Sequence, residues 1–156
     1  MIREATPVDR PAIERLQQLL PEPAPELLEP TAGAELLVTT AATEQGTETV
    51  VGYVLWFPGD PVYVAEMVVQ PAFRDEGRGT RLFGALFDRL PAGTAVDLRV
   101  AAANEGARRL YRRLGFERVE SLPNAYESGG GYRMRYIVAE SETENGNTDG
   151  ESGAES

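Results

Sequence analysis

Apolar residues recur along this chain with two periods. Glu35–Ala42, Thr49–Phe57 and Val62–Val69 are rich in Val, Leu, Thr and aromatic residues, which predicts three strands. TEQGTE separates the first two, and Pro58-Gly59-Asp60-Pro61 separates the second from the third, so the three form a meander. Elsewhere the period is helical. In VDRPAIERLQQLL the apolar positions are Ile13, Leu16, Leu19 and Leu20, with Thr6 or Asp9 as cap and Pro11 in the first turn. Gly77–Leu90 places Leu82, Phe83, Leu86, Phe87 and Leu90 on one face and stops at Pro91-Ala92-Gly93. Asn104–Leu114 is a third helix with Gly115 as its C-terminal stop. Ile2–Ala5, Ala95–Val100, Phe116–Ser121 and Tyr132–Val138 complete the strands, the last two joined by a loop containing Gly129-Gly130-Gly131. Residues 21–34 hold four prolines and read as an irregular loop with a short helical turn at Glu26–Glu29.

The order is strand, helix, three strands, helix, strand, helix, two strands. Strand 62–69, helix 77–90 and strand 95–100 make one right-handed crossover, so those two strands are parallel and the remainder mostly antiparallel. The expected class is α/β (α+β), one domain over residues 1–139. Residues 140–156 form an acidic, polar, glycine-containing tail, expected to be disordered and solubilising.

Composition narrows the chemistry. Among 156 residues there is no cysteine and no histidine. That removes thiol nucleophiles, the Ser-His-Asp triad and most zinc sites, so no metal is expected. Acid–base work is left to carboxylates, tyrosine, water or the substrate. The formal net charge is −10, and removing the six acidic charges from Glu140 onward leaves −4. A broad basic face for nucleic acid is therefore not expected. All fifteen basic residues are arginine. Such an acidic, lysine-free chain suits a salt-rich, halophile-like cytoplasm, an expectation that a stability series in KCl tests. No apolar run approaches 18 residues and MIREATPVDR lacks a signal-type apolar core, so the expected location is cytoplasmic, not membrane.

The stretch VVQPAFRDEGRGT at residues 68–80 leads a strand into a helix through two glycines and two arginines. A helix N-terminus exposes unpaired N–H groups and partial positive charge, and a glycine-rich turn lets such groups converge on an anion. Gly77 and Gly79 leave room for a phosphate to approach; Arg74, Arg78 and Arg81 add charge. The P-loop pattern fails for want of lysine. The dinucleotide G-x-G-x-x-G pattern fails because its third glycine position is Leu82. On R-x-x-G-x-G alone, a plain tight turn and a diphosphate seat both stay open. In NEGARRLYRRLGF, Asn104, Ala107 and Tyr111 share one helix face.

Together, QPAFRDEGRGTRLF and LRVAAANEGARRLYRRLGF resemble the GNAT superfamily of acetyl-CoA-dependent N-acetyltransferases. Arg74-x-x-Gly77-x-Gly79 matches its pyrophosphate loop, and Asn104, Ala107, Tyr111 and Gly115-Phe116 its second motif; the element order fits residues 2–138. The resemblance implies a mixed, mostly antiparallel sheet of six to seven strands with helices on both faces and a splayed parallel pair at the cofactor cleft. It implies acetyl-CoA as cofactor, held by Met67, Val68, Val69, Arg74, Gly77, Arg78, Gly79, Thr80, Asn104, Ala107 and Tyr111. The activity implied is acetyl transfer to a primary amine by direct attack, the acceptor being a small molecule or a peptide. Tyr111 is then the acid for the departing thiolate; periodicity alone makes it a core aromatic with a wet hydroxyl. Glu66 is the candidate base, or else a strand carboxylate facing solvent, and the family's frequent acid at the position of Ala65 is missing here. One or two of Arg108, Arg109, Arg112 and Arg113 are candidates for the ribose 3′-phosphate. A non-catalytic acyl-CoA-binding module is the rival class, and a homodimer stays open. Carboxylates and Tyr126 in loops 21–34 and 122–131 are the expected acceptor contacts.

Overall fold

The computed structural model describes residues 1–140; the tail expected from residue 140 lies, from residue 141 on, outside the described residues. Seven strands form a single sheet: β1 (Ile2–Glu4), β2 (Glu35–Ala42), β3 (Glu48–Phe57), β4 (Val62–Val69), β5 (Ala95–Ala101), β6 (Glu117–Tyr126) and β7 (Gly129–Ile137). Their spatial order is β1-β2-β3-β4-β5-β7-β6. Three helices cover it: α1 (Arg10–Gln17), α2 (Arg78–Phe87) and α3 (Glu105–Leu114).

The β2–β3–β4 meander is antiparallel, and β4 and β5 are the parallel pair, as the crossover requires. That pairing is short. It joins Val62 to Val96, Tyr63 to Asp97 and Val64 to Leu98, and stops. Beyond Leu98, β5 stays paired with β7 out to Ala101, so β4 and β5 splay apart toward their C-terminal ends. Asp97 helps hold β5 to β7: its carboxylate accepts from Arg133 Nη1 at 2.8 Å and Arg135 Nε at 2.7 Å. It is therefore a structural clamp.

Two apolar cores lie on opposite faces. Residues of α2 and α3, among them Leu82, Phe83, Leu86 and Tyr111, pack with Val62, Val64 and Leu98. On the other face Ile13 and Leu16 of α1 pack with Val38, Tyr53, Leu55 and Val68. A bulge in β4 governs which side chains face which core. Leu55 pairs with Glu66 but Trp56 with Val64, which leaves Ala65 as the extra residue. Val62 and Val64 before it, and Met67 and Val69 after it, all face α2. The bulge thereby turns Ala65 and Glu66 toward α1.

One expectation fails. The run Gly129-Gly130-Gly131 is not a loop; it opens β7, and the hairpin turn is only Glu127-Ser128. Gly131 pairs with Ala101. A Cβ there would stand 2.4 Å from the Val100 carbonyl oxygen and 2.5 Å from Cε2 of Tyr126. The glycine lets the Tyr126 ring lie directly on the strand, which seats Tyr126 at the end of β5 where the splay opens.

Candidate functional site

A cleft of about 430 Å³ lies along the open edge of β4. Its walls are Met67–Val69, the turn Phe73–Asp75 with Gly77–Thr80, the α3 residues Gly106, Ala107, Leu110 and Arg113, Asn104, and Leu19–Pro21 after α1. The sequence-expected cofactor residues thus converge, with one exception: Tyr111 is not on the wall.

The turn is built to present donors. Gly77 is the N-cap of α2 at φ 78°, ψ 11°, the left-handed region, and Asp75 is also left-handed at φ 65°. The first bond back into the helix runs from Arg81 N to the Gly77 carbonyl at 3.0 Å. The N–H groups of Arg78, Gly79 and Thr80 therefore have no helical acceptor and stand at the positive end of α2. Across the cleft, Val69 C=O accepts from Arg74 Nε at 2.8 Å, which marks it as pointing into the β4–β5 gap. Main-chain groups alternate along a strand, so those of Met67 also point into the gap, while those of Val68 face β3. Of the expected Met67–Val69 edge, the N–H and C=O of Met67 and the N–H of Val69 are open, while the Val69 carbonyl is already taken by Arg74.

The arginines divide into spent and free. Arg78 lines the cleft through its backbone, but its guanidinium lies across Phe73 and donates to Thr39 Oγ1 and the Thr40 carbonyl. Arg74 ties the turn to β4. Arg108 donates to the Ala102 carbonyl at 2.9 Å and lies over Tyr132. Arg113 lines the cleft and makes no hydrogen bond or ion pair to side chains or backbone among the described residues. Of the four helix arginines considered from sequence, it is the one aimed at the cleft. Asn104 spends its amide oxygen capping α3, accepting from Ala107 N at 3.1 Å.

Tyr111 is the buried residue of α3, wedged edge-on against Phe83 with Phe116 beside it. It stands next to Leu110, which does line the cleft. Its hydroxyl donates to no protein group among the described residues. Burial, with Tyr126 adding a smaller push, raises it to about 12.

Glu66 does not face solvent. It is 8% exposed on the α1 side of the sheet. Its carboxylate accepts from Tyr53 Oη at 2.8 Å and from Gln17 Nε2 at 3.1 and 3.2 Å. Burial and the neighbouring Glu66 push the Tyr53 phenol far up. Tyr53 is fully buried in the core against α1. Sequence reasoning missed Gln17. It looked like a polar position on an amphipathic helix, yet it is fully buried; its sequence signal is its spacing, four positions after Ile13 and three before Leu20, on the apolar stripe of the helix.

Burial raises the Tyr126 phenol above its ordinary value, with Tyr63 and Glu22 adding to the effect and Arg99 opposing it. Glu22 in the loop after α1, Tyr63 of β4 and Arg99 of β5 therefore lie within charge range of the β6–β7 hairpin.

The acetyltransferase (GNAT) family model matches residues 8–116. Among solved structures, Ard1 from Thermoplasma volcanium superposes with a TM-score of 0.73 at 28% identity, covering 90% of this chain and 98% of that one. Arabidopsis thaliana NAA60, solved with a bisubstrate analogue, gives 0.75 at 18% identity over 88% and 98%. The ribosomal-protein-S18-alanine N-acetyltransferase of Escherichia coli gives 0.71 at 20% over 90% and 95%. The last two identities establish likeness of fold. An uncharacterized protein of Mycobacterium leprae is 43% identical over 74 residues, 46% of this chain and 20% of that protein. The chain therefore spans about a fifth of the length of this curated relative.

Proposed function

Because the chain belongs to the acetyltransferase (GNAT) family, we propose that it moves the acetyl group of acetyl-CoA to a primary amine by direct attack in a ternary complex. The observation that carries the proposal is a single cleft holding both the unpaired N–H groups of Arg78–Thr80 and the open main-chain groups of Met67 with the N–H of Val69. The first suits a diphosphate, the second an extended amide-bearing arm.

Bound there, the cofactor supplies an acyl thioester. The turn 74–80 holds its diphosphate, and Arg113 adds a cation for the ribose 3′-phosphate. The edge of β4 aligns the arm as an added strand would and offers N–H groups to the oxygen that gains charge during attack. Glu66 takes the proton that the amine must lose. Tyr111, protonated at every physiological pH, gives its proton to the departing sulfur. The acceptor enters past Tyr126 and the loop after α1.

The test is thiol release from acetyl-CoA across a panel of amines and peptides. Release that depends on the acceptor supports transfer; cofactor binding without release from any acceptor supports the non-catalytic acyl-CoA module instead. Within the enzymes, a peptide N-terminus is the second acceptor reading. Its support is the fold shared with the S18-alanine enzyme of Escherichia coli.

A further inference from the structure

A carboxylate, an amide and a phenol sit together in an apolar core. Around Glu66, Tyr53 and Gln17 lie Ile13, Leu16, Leu55 and Val68. Burying three polar side chains there costs stability, and apolar residues of similar volume generally serve a core as well or better.

The orientation of Gln17 is fixed by its surroundings. One nitrogen, Nε2, donates to the Ala24 carbonyl at 3.0 Å and to both oxygens of Glu66. Turning the amide over would set its oxygen against a carbonyl and a carboxylate, so this end is the NH₂. The other end, Oε1, is buried and has no hydrogen-bond partner among the described residues. An unpartnered buried acceptor is a further penalty. The amide is thus retained against the interest of the fold. What it achieves is a link: Ala24 belongs to the loop that flanks the acceptor entrance, and its carbonyl also accepts from Leu27 N at 3.0 Å, closing the short turn Pro25–Leu28.

We propose that Gln17 is a positioning residue that ties the acceptor loop to the Glu66 carboxylate, with Tyr53 as the second fixed donor. The inference rests on the reading of Glu66 as the base. Two donors on different elements, α1 and β3, leave the carboxylate one orientation, and the shared Nε2 sets the loop and the base in register.

The test uses the full chain, acetyl-CoA, and the panel amine or peptide that gives the most thiol release. Gln17→Met is expected to lower kcat at least tenfold while KM for acetyl-CoA stays within threefold. It is also expected to speed amide exchange at Leu27. Tyr53→Phe, should Gln17→Met fail to fold, removes the other donor and is expected to show the same split. The double variant Gln17→Met/Glu66→Gln is expected to be no slower than Glu66→Gln alone. The triple replacement Gln17→Met/Tyr53→Phe/Glu66→Met is expected to unfold at an equal or higher urea concentration than the wild type, without transfer. If Glu66→Gln retains the wild-type rate, the base assignment itself falls. If Glu66→Gln is impaired while Gln17→Met or Tyr53→Phe turns over normally, or if the double variant loses activity additively, the base stands and the positioning role is overturned. A triple variant markedly less stable than the wild type would show that the polar group serves the fold, and overturns the inference as well.

Discussion

Replacing Gly77 by alanine isolates the conformation of the turn from everything else in the cleft. Gly77 sits at φ 78°, ψ 11°, where an L-residue with a Cβ is strained by about 1–2 kcal/mol. The added methyl would meet Arg81 Nη1 at 3.0 Å and then nothing closer than 3.9 Å. The near atom is the tip of a flexible side chain, so packing contributes little and the cost is the backbone's. The chain then has two courses. It holds the turn and loses about 1–2 kcal/mol of stability, or it relaxes the turn and re-aims the N–H groups of residues 78–80. In the second case the same energy is taken from ligand binding, which corresponds to a roughly five- to thirtyfold weaker Kd for coenzyme A. Urea unfolding and calorimetric titration with coenzyme A measure the two losses, and their sum is expected near the strain energy. Gly77→Asn should recover most of it, because asparagine tolerates the left-handed region. A Gly77→Ala protein with both the wild-type urea midpoint and the wild-type Kd would refute the reasoning.

Tyr111→Phe is expected to lower kcat by about 100-fold or more with coenzyme A affinity unchanged, and steady-state kinetics beside calorimetry checks both. Because burial holds the Tyr111 hydroxyl at about 12, the pH profile of kcat should show no limb from this group until about pH 11 or above; an alkaline limb near pH 9 that vanishes in the phenylalanine variant would contradict the assignment. Arg113→Ala should weaken coenzyme A about tenfold and dephospho-coenzyme A by much less, since a single charge-assisted contact is worth about 1.5–3 kcal/mol and partial exposure reduces it. Asp9 is held down to about 2, chiefly by its hydrogen bond from Arg3, and against the opposing effect of burial. Its folded value lies below the unfolded one, so the stabilisation is full above about pH 5 and is lost as pH falls toward 2. The whole shift corresponds to about 2 kcal/mol, and with the Arg3 side chain 37% exposed roughly half of that is expected to survive screening. Urea unfolding at both pH values should show a smaller acid loss in Arg3→Gln than in the wild type.

What was legible in the sequence was local. The stop at Gly115, the cap at Asn104 and the apolar face of Leu82, Phe83 and Leu86 each follow from residues within a few positions of one another, and they delimit α2 and α3 to within a few residues. The meander followed from its turn chemistry, and the parallel pair from the length of its crossover. What was not legible depends on partners far away in the chain. Gly129–Gly131 carries the composition of a loop, yet it is strand, paired with Ala101 on one side and with Leu122 and Tyr126 on the other; Gly131 is glycine because the Val100 carbonyl and the Tyr126 ring leave no room for a Cβ. Glu66 would alternate to a different face but for the bulge at Ala65. Its donors lie 13 and 49 positions away, and no spacing rule connects them. The arginines behaved likewise: sequence brings Arg78 into the phosphate turn, whereas the oxygens of Thr39 and Thr40 on β2 draw its guanidinium away.

The central claim is that main-chain donors at the start of α2 hold the diphosphate of coenzyme A. Amide NMR of the labelled chain during titration with coenzyme A tests it most directly, since each N–H reports its own hydrogen bond. The account predicts that the amides of Gly77, Arg78, Gly79 and Thr80 shift downfield more than any others, with Met67 and Val69 next. Saturating coenzyme A that leaves those four amides unmoved, or that moves a different part of the molecule instead, would contradict it.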